Sequence, residues 1–326
     1  MPHVTKVARK PKGVGCELKS VADGKTCIML RLEIQEGAEV MPLKRFVKRT
    51  RNRIDALDQQ YHADEAAGLN GKHHTALTLR LVYPWKNTFR IVVADSAFAS
   101  VETLIALRRI GLYFIGMVKT ASVMYPLKYL NNWANDPINE PERGSHCVLS
   151  ANYATAEGQH IMLAIGWKDL RLKTIIASCG LTTPGNDAVR PRHHIVDGPN
   201  NLPVTERVEL RVKRPKVVET LFEAFSAVDV QDHYRQGNLD LEGNWLTKCW
   251  YDRVFTTVFG IIVTDMYLAY KYYYLIANNG NKSDMDSFHY FCDQVAYYLI
   301  FNPVRQNVAT KRRASSSIEP TVDEVL

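Results

Sequence analysis

The stretch from residue 90 to residue 109 constrains the fold of this chain more than any other. It opens with a short run rich in β-branched residues, which Asp95 follows directly. Small residues come next, and apolar residues then recur at helical spacing over residues 101–109. This order predicts a strand, a turn and a helix, with an acid at the carboxyl end of a buried strand, where open α/β sheets bind ligands. We favour a functional role for Asp95; the alternative is an aspartate that caps the following helix.

A second strand and a second acidic cluster extend this pattern. Residues 112–118 read as another buried strand, and two strands joined by a helix are expected to be parallel. Further on, residues 216–227 predict a helix that delivers Asp229 and Asp232. Their i, i+3 spacing places both carboxylates on one helical face, about 5–6 Å apart at Cβ, if the helix continues through them.

Four blocks of the sequence resemble piggyBac-type transposases, and they occur in the family's order. Residues 93–100 resemble its second catalytic-aspartate block, and residues 111–120 resemble the strand that ends in a glycine and a basic residue. Upstream, residues 2–15 resemble the strand that follows the first catalytic aspartate. Downstream, residues 227–232 resemble the third acidic block.

The resemblance implies an α/β fold in which a ribonuclease-H-like mixed sheet is flanked by helices and interrupted by a mostly β insertion. Residues 1–124 would form the first part of this domain, without its opening strand. Residues 125–212 would be the β-rich insertion, residues 213–302 the C-terminal helical part, and residues 303–326 a disordered basic and serine-rich tail.

The resemblance also implies metal-dependent cleavage and transfer of DNA strands, in which carboxylates hold two Mg²⁺ or Mn²⁺ ions. Asp95 and Asp229 would supply two of the three acids, and Asp232 would be an additional catalytic and metal-binding neighbour. The family's first acid lies in an Asp-Glu pair upstream of the positions matched here by residues 2 and 3, and no Asp or Glu precedes Glu17. We therefore expect no transposition by this polypeptide alone.

Three interpretations of the function follow. The first is a transposase-derived protein whose metal site partly survives and whose basic surface still holds DNA. The second is an active nuclease or transposase in which Glu17 or Glu33 replaces the missing acid. The third is a non-catalytic module that binds DNA or protein, or an unselected remnant of a transposase. We adopt the first.

The net charge of +7 and the pI near 9.0 favour an anionic partner, and nucleic acid is the obvious candidate. The basic residues that we consider for phosphate contact are Lys44, Arg45, Lys48, Arg49, Arg51 and Lys119. Residues 180–201 look like a loop. The basic stretch within it, residues 190–194, is interpreted as a solvated turn in preference to a DNA contact.

Other features narrow the class of protein. The six cysteines are scattered without a C-x-x-C pair, which argues against a structural zinc site. The apolar residues 254–276 are interpreted as a core helix in preference to a transmembrane helix, so no membrane partner is expected. The resemblance implies DNA as partner and a nuclear location, with which the basic residues 311–313 agree, and it leaves a homodimer open.

Three local predictions can be compared directly with the structure. An Asp-Gly pair at residues 23 and 24 predicts a hairpin between residues 14–21 and 27–34, with Asp23 as a turn residue. Residues 75–82 alternate like a strand, but the family's order favours a helix, which we adopt. Residues 160–167 and 172–178 predict antiparallel strands.

Overall fold

The structure is a computed structural model. It describes residues 4–6, 14–34, 73–119, 124–155, 158–180, 182–197, 203–245, 247 and 249–301. The chain divides into two compact units. The first comprises Met1–Lys25 and Leu30–Val228, and the second comprises Thr26–Met29 and Asp229–Leu326.

Four short strands open the described part of the chain. Strand β1 (Val4–Lys6) pairs antiparallel with β2 (Val14–Cys16), and β3 (Leu18–Ala22) pairs with β4 (Met29–Ile34). The carboxylate of Asp23 accepts a hydrogen bond from the backbone N–H of Lys25 at 3.1 Å, so Asp23 is the turn residue that the sequence predicts. The predicted hairpin is confirmed for β3 and β4, while β2 pairs with β1 instead.

Helix α1 (His73–Val82) confirms the choice of helix over strand in this segment. The side chains from Thr75 to Leu79 are all buried. A helix buried on nearly all sides carries no polar face, and this is why its sequence lacks a clear helical period. A short 3₁₀ turn, Tyr83–Trp85, follows it.

A five-stranded mixed sheet forms the centre of the first unit. In chain order its strands are β5 (Ile91–Ala94), β6 (Tyr113–Val118), β7 (His146–Thr155), β8 (Gly158–Lys168) and β9 (Leu172–Ala177). Their order across the sheet is β5-β6-β9-β8-β7. Strands β5 and β6 are parallel, and the other neighbours are antiparallel. The parallel pair and the β8–β9 pair are thereby confirmed.

Two hydrophobic cores cover the two faces of this sheet. Successive residues of β6 point to opposite faces, so Phe114 belongs to one core and Ile115 to the other. Helices α1, α2 (Val101–Arg109) and α3 (Leu127–Ala134) contribute to the first core. Helix α4 (Lys216–Phe225) packs in the second. The unit is therefore a sheet between two helical layers.

The segment predicted as an insertion, residues 125–212, contributes strands to two places. Strands β7, β8 and β9 belong to the central sheet, while β10 (Ala188–Asp197) and β11 (Pro203–Val212) form a separate antiparallel ribbon. The prediction of a loop over residues 180–201 is wrong for β10, because its ten residues pair in register with β11. The proposed domain boundaries themselves stay predictions, and residues 303–326 lie outside the described residues.

The second unit is helical. Helix α5 (Ala227–Asp232) leads into a π-helical segment, His233–Leu239, and then into α6 (Leu241–Asn244). Two longer helices follow, α7 (Trp250–Ala277) and α8 (Phe288–Ile300). The rings of Tyr234, Tyr267 and Phe288 pack together with centroids 4.9–5.3 Å apart.

Helix α7 is, within the described part of the chain, the one helix long and apolar enough to cross a membrane. One face of this helix is buried and another is exposed: Ile261 and Leu268 are buried, whereas Phe255 and Ile262 are exposed. Its polar residue Asp265 is half-buried and accepts a hydrogen bond from the backbone N–H of Met29 at 3.0 Å.

Candidate functional site

Asp95 is the first residue beyond strand β5, and its side chain is exposed. One carboxylate oxygen accepts a hydrogen bond from the backbone N–H of Ala97 at 3.0 Å. The carbonyl oxygen of Asp95 accepts from the N–H groups of Phe98 and Ala99 at 3.2 and 3.1 Å. These bonds form a tight turn that holds the carboxylate at the end of the strand and open to solvent.

The following helix is capped by another residue. The hydroxyl oxygen of Ser100 accepts a hydrogen bond from the backbone N–H of Thr103 at 3.0 Å, which satisfies one of the free donors at the start of α2. The alternative role considered for Asp95, capping this helix, is therefore wrong. The carboxylate is left available for another purpose.

Lys119 lies at the same edge of the sheet as Asp95. Strands β5 and β6 are parallel, with Ala94 opposite Gly116, so their carboxyl ends lie side by side. Lys119 directly follows β6, and its side chain is exposed. The structure thus brings an exposed acid and an exposed base to one sheet edge.

A glycine in β6 makes room for the Asp95 turn. A Cβ atom on Gly116 would lie 2.7 Å from the Cβ of Ala99 and 2.7 Å from the ring of Phe114. Real Cβ atoms do not approach other atoms so closely. Gly116 therefore allows the segment after Asp95 to pack directly on the strand.

Asp229 and Asp232 share helix α5, but the helix predicted over residues 216–227 does not continue through them, because α4 ends at Phe225 and α5 is a separate helix. Asp229 is exposed and forms no ion pair with the described residues. Asp232 differs, because one of its oxygens accepts a hydrogen bond from Arg235 at 2.7 Å. Arg235 is only 8 % exposed and also contacts the carboxylate of Glu242.

The ion-pair network around Arg235 is a feature that the sequence interpretation missed. Asp232 and Arg235 are three residues apart, which is a spacing at which opposite charges meet on a helix, so a signal was present. A buried guanidinium needs anionic partners, and Asp232 and Glu242 supply them. The charge of Asp232 is therefore already matched within the protein.

Part of the predicted DNA-binding surface falls outside the described residues. Lys44, Arg45, Lys48, Arg49 and Arg51 lie outside the described residues. Within the described residues, no three His, Cys, Asp or Glu side chains are grouped closely enough to hold a metal ion. The donor chemistry of Asp95 and Asp229 fits Mg²⁺, which prefers hard carboxylate oxygens and keeps several waters. One oxygen of Asp232 is bonded to Arg235, and its metal-binding role stays a prediction.

A mixed sheet between helical layers, with an acid directly after a strand, defines the first unit as an α/β protein. A family model described as Transposase IS4 matches residues 1–265. The chain therefore belongs to the Transposase IS4 family. A comparison with curated proteins gave no match.

The fold is similar to that of a solved transposase. A cryo-EM structure of the piggyBac transposase synaptic complex with hairpin DNA matches with a TM-score of 0.57 and 13% sequence identity. The match covers 99% of this chain and 55% of the other, so this chain spans about half the length of that protein. The resemblance to piggyBac-type transposases and the ribonuclease-H-like fold class are confirmed.

Proposed function

We propose that this chain is a transposase-derived protein that binds duplex DNA and no longer cleaves or transfers it on its own. The observation that carries the proposal is the shared fold with a transposase that was solved with hairpin DNA, extending over 99% of this chain. The net charge of +7 supports it, because phosphate contacts supply most of the affinity of non-specific DNA binding. The exposed Lys119 beside Asp95 is one basic group suited to such contact.

We further propose that Asp95 in the first unit and Asp229 in the helical unit each retain the capacity to coordinate Mg²⁺ or Mn²⁺. Such ions, when bound, activate the attacking oxygen and stabilise the leaving oxygen of a phosphodiester. The Asp95 turn supports this role, because the Ala97 N–H fixes one carboxylate oxygen while the side chain stays exposed. Asp229 is likewise exposed.

Loss of catalysis is supported by the state of Asp232. A carboxylate bonded to a buried guanidinium already has a cationic partner, and turning it to a metal ion would leave Arg235 with Glu242 as its one remaining carboxylate partner among the described residues. Phosphoryl transfer depends on preorganised charge around the reacting phosphate. Most of this charge stabilisation is lost when the set of metal-binding carboxylates is incomplete.

The experiment combines DNA binding with metal binding and cleavage. Binding of the purified 326-residue chain to labelled duplex DNA is measured by fluorescence anisotropy at increasing salt. Mn²⁺ is titrated calorimetrically into the wild type, into Asp95→Ala and into Asp284→Ala, which removes an exposed aspartate in the loop before α8. We expect salt-dependent DNA binding, and Mn²⁺ binding that Asp95→Ala abolishes and Asp284→Ala preserves.

Two results would count against these proposals. Identical heats for the wild type and Asp95→Ala would show that Asp95 is no metal ligand. Mg²⁺-dependent end cleavage by the wild-type chain, abolished in Asp95→Ala, would overturn the proposed loss of catalysis.

We also propose a cellular location and an assembly state for the protein. We propose a nuclear protein without a membrane partner, supported by the basic residues 311–313 and by the burial of one face of α7. Self-association is supported by the large apolar side chains exposed on the other face of α7, such as Phe255 and Ile262. Light scattering of the purified chain measures its oligomeric state, and a single monomeric mass would contradict self-association.

A further inference from the structure

The ribbon of β10 and β11 is a separate structural element. All ten residues of each strand are paired, from Ala188 opposite Val212 to Asp197 opposite Pro203. Neither strand pairs with any other strand in the described part of the chain. A two-stranded ribbon of this length is unusual without a partner, because isolated hairpins are marginally stable in water.

The base of the ribbon is fixed to the first unit. Ala188 and Val212, the pair at its base, are 6 % and 2 % exposed and lie in the same core as Leu221 of α4. The indole N–H of Trp167 donates a hydrogen bond to the carbonyl oxygen of Lys213 at 2.9 Å. The ribbon therefore leaves the core from a rigid base.

Charged contacts hold the same region. The carboxylate of Glu219 accepts hydrogen bonds from the backbone and side-chain N–H groups of Asn186, at 3.1 and 2.7 Å, just before β10 begins. Asp169 accepts from Arg143 at 2.8 Å and lies 3.5 Å from the guanidinium of Arg190. These bonds fix the direction of the first residues of the ribbon.

Arginines lie on both faces of the ribbon within the six residue pairs nearest the core, residues 188–193 and 207–212. Two residues paired across an antiparallel ribbon share a face, and successive residues of one strand point to opposite faces. Arg190 and Arg192 therefore lie on one face, together with their cross-strand partners Leu210 and Val208. Arg207 and Arg211 lie on the other face, together with their cross-strand partners His193 and Val189.

These arginines are mostly free to meet a partner. Arg192 and Arg211 are exposed and form no ion pair with the described residues. Arg207 is 65% exposed and lies 3.9 Å from Glu209. Glu209 is the one acid among residues 188–193 and 207–212. The ribbon thus presents unneutralised positive charge in two opposite directions.

We propose that this ribbon lies in the major groove of duplex DNA, with Arg192 and Arg211 contacting phosphates on the two opposite walls. A single sheet with its side chains is about 10 Å thick, the spacing at which sheets stack, and the major groove is about 12 Å wide. A phosphate backbone borders the groove on each side, so an inserted ribbon meets anions at both faces. A flat anionic partner would engage only one face. The inference rests on the proposed DNA binding and identifies the element responsible.

The test compares two charge-matched double variants. In Arg192→Gln/Arg211→Gln the two ribbon arginines lose their charge. In Lys128→Gln/Lys282→Gln the same charge is removed from exposed lysines outside the ribbon. Affinity for a labelled mixed-sequence DNA duplex is measured by anisotropy over a series of salt concentrations, after circular dichroism has shown that both variants melt like the wild type.

We expect the ribbon variant to bind roughly tenfold more weakly at low salt, and its slope of log K against log salt to become less negative by about 2. The lysine variant should bind within about twofold of the wild type, because it leaves the charges of the ribbon in place. Equal effects of the two variants, or no effect of the ribbon variant, would overturn the ribbon proposal while DNA binding stands. A wild-type chain that does not bind DNA would overturn both proposals.

Competition with duplex RNA tests the groove. A-form RNA has a deep, narrow major groove that protein side chains cannot enter. Unlabelled duplex RNA should therefore compete more weakly than duplex DNA of the same sequence. Equal competition would exclude the major groove as the binding site.

Discussion

At the scale of single residues, Gly116 is the position on which the Asp95 turn depends most. In Gly116→Ala the new Cβ would lie 2.7 Å from both Ala99 and Phe114, so the turn or the strand must shift. Overpacking of this kind costs about 1–3 kcal/mol. We expect a lower urea midpoint for Gly116→Ala and weaker Mn²⁺ binding, because the displaced turn carries Asp95.

Gly237→Ala is the matched control for this prediction. The Cβ that it adds would find its nearest neighbour, in His233, at 3.7 Å, which is ordinary contact. Its urea midpoint should be unchanged or slightly higher, because alanine restricts the unfolded chain. If both variants lost stability equally, the close packing at Gly116 would not be the cause.

The same residues show how far the sequence could predict the site. A carboxylate after a β-branched run was recognisable from local order, and the structure places Asp95 there, exposed. The cap at Ser100 and the bond from Asp232 to Arg235 were not predicted. Serine and aspartate compete for the same backbone donors, and only the turn geometry decides between them.

At the scale of elements, helix α7 carries an acid in its middle whose ionisation is coupled to folding. Desolvation raises the pKa of Asp265 to about 6, and the hydrogen bond from the Met29 N–H only partly opposes this. The folded pKa is above the unfolded value of 3.8, so the folded state binds the proton more tightly. The stability linked to this proton is full below about pH 4 and is lost as the pH rises to about 6.

Asp265→Asn should remove this dependence. Above pH 6 we expect the variant to be more stable than the wild type by about 1 kcal/mol, a figure reduced because the side chain is only half-buried. Below pH 4 the difference should vanish. Urea denaturation from pH 4 to pH 7 measures it, with Asp284→Asn as an exposed control; a constant difference across this range would contradict the assignment to Asp265.

Element prediction succeeded where contacts are local and failed where they are not. The βαβ order around Asp95 needs only neighbouring segments, and it was predicted. The sequence of strand β10 looks like a loop because Pro191 and its charged neighbours are poor strand formers. What makes it a strand is pairing with β11, and local propensity does not encode pairing.

At the scale of the whole molecule, the order of motifs predicted the fold better than any single motif. A mixed sheet with helices on both faces was expected, and it is present. The place of β7, β8 and β9 in that same sheet was not foreseen, because antiparallel strands of an insertion look alike whether they join the main sheet or stand apart. These three strands belong to the main sheet because β9 pairs with β6.

The position of β5 has a consequence for the behaviour of the protein in solution. It is the outermost strand of the described sheet, and Ile91 at its start is 46% exposed. An edge strand offers unpaired N–H and C=O groups to any passing extended chain, which is a route to aggregation. Because β5 is only four residues long and ends at a charged aspartate, a stray strand gains few hydrogen bonds there. Asp95 thus places a negative charge directly at the end of this edge strand, which disfavours pairing with another chain there.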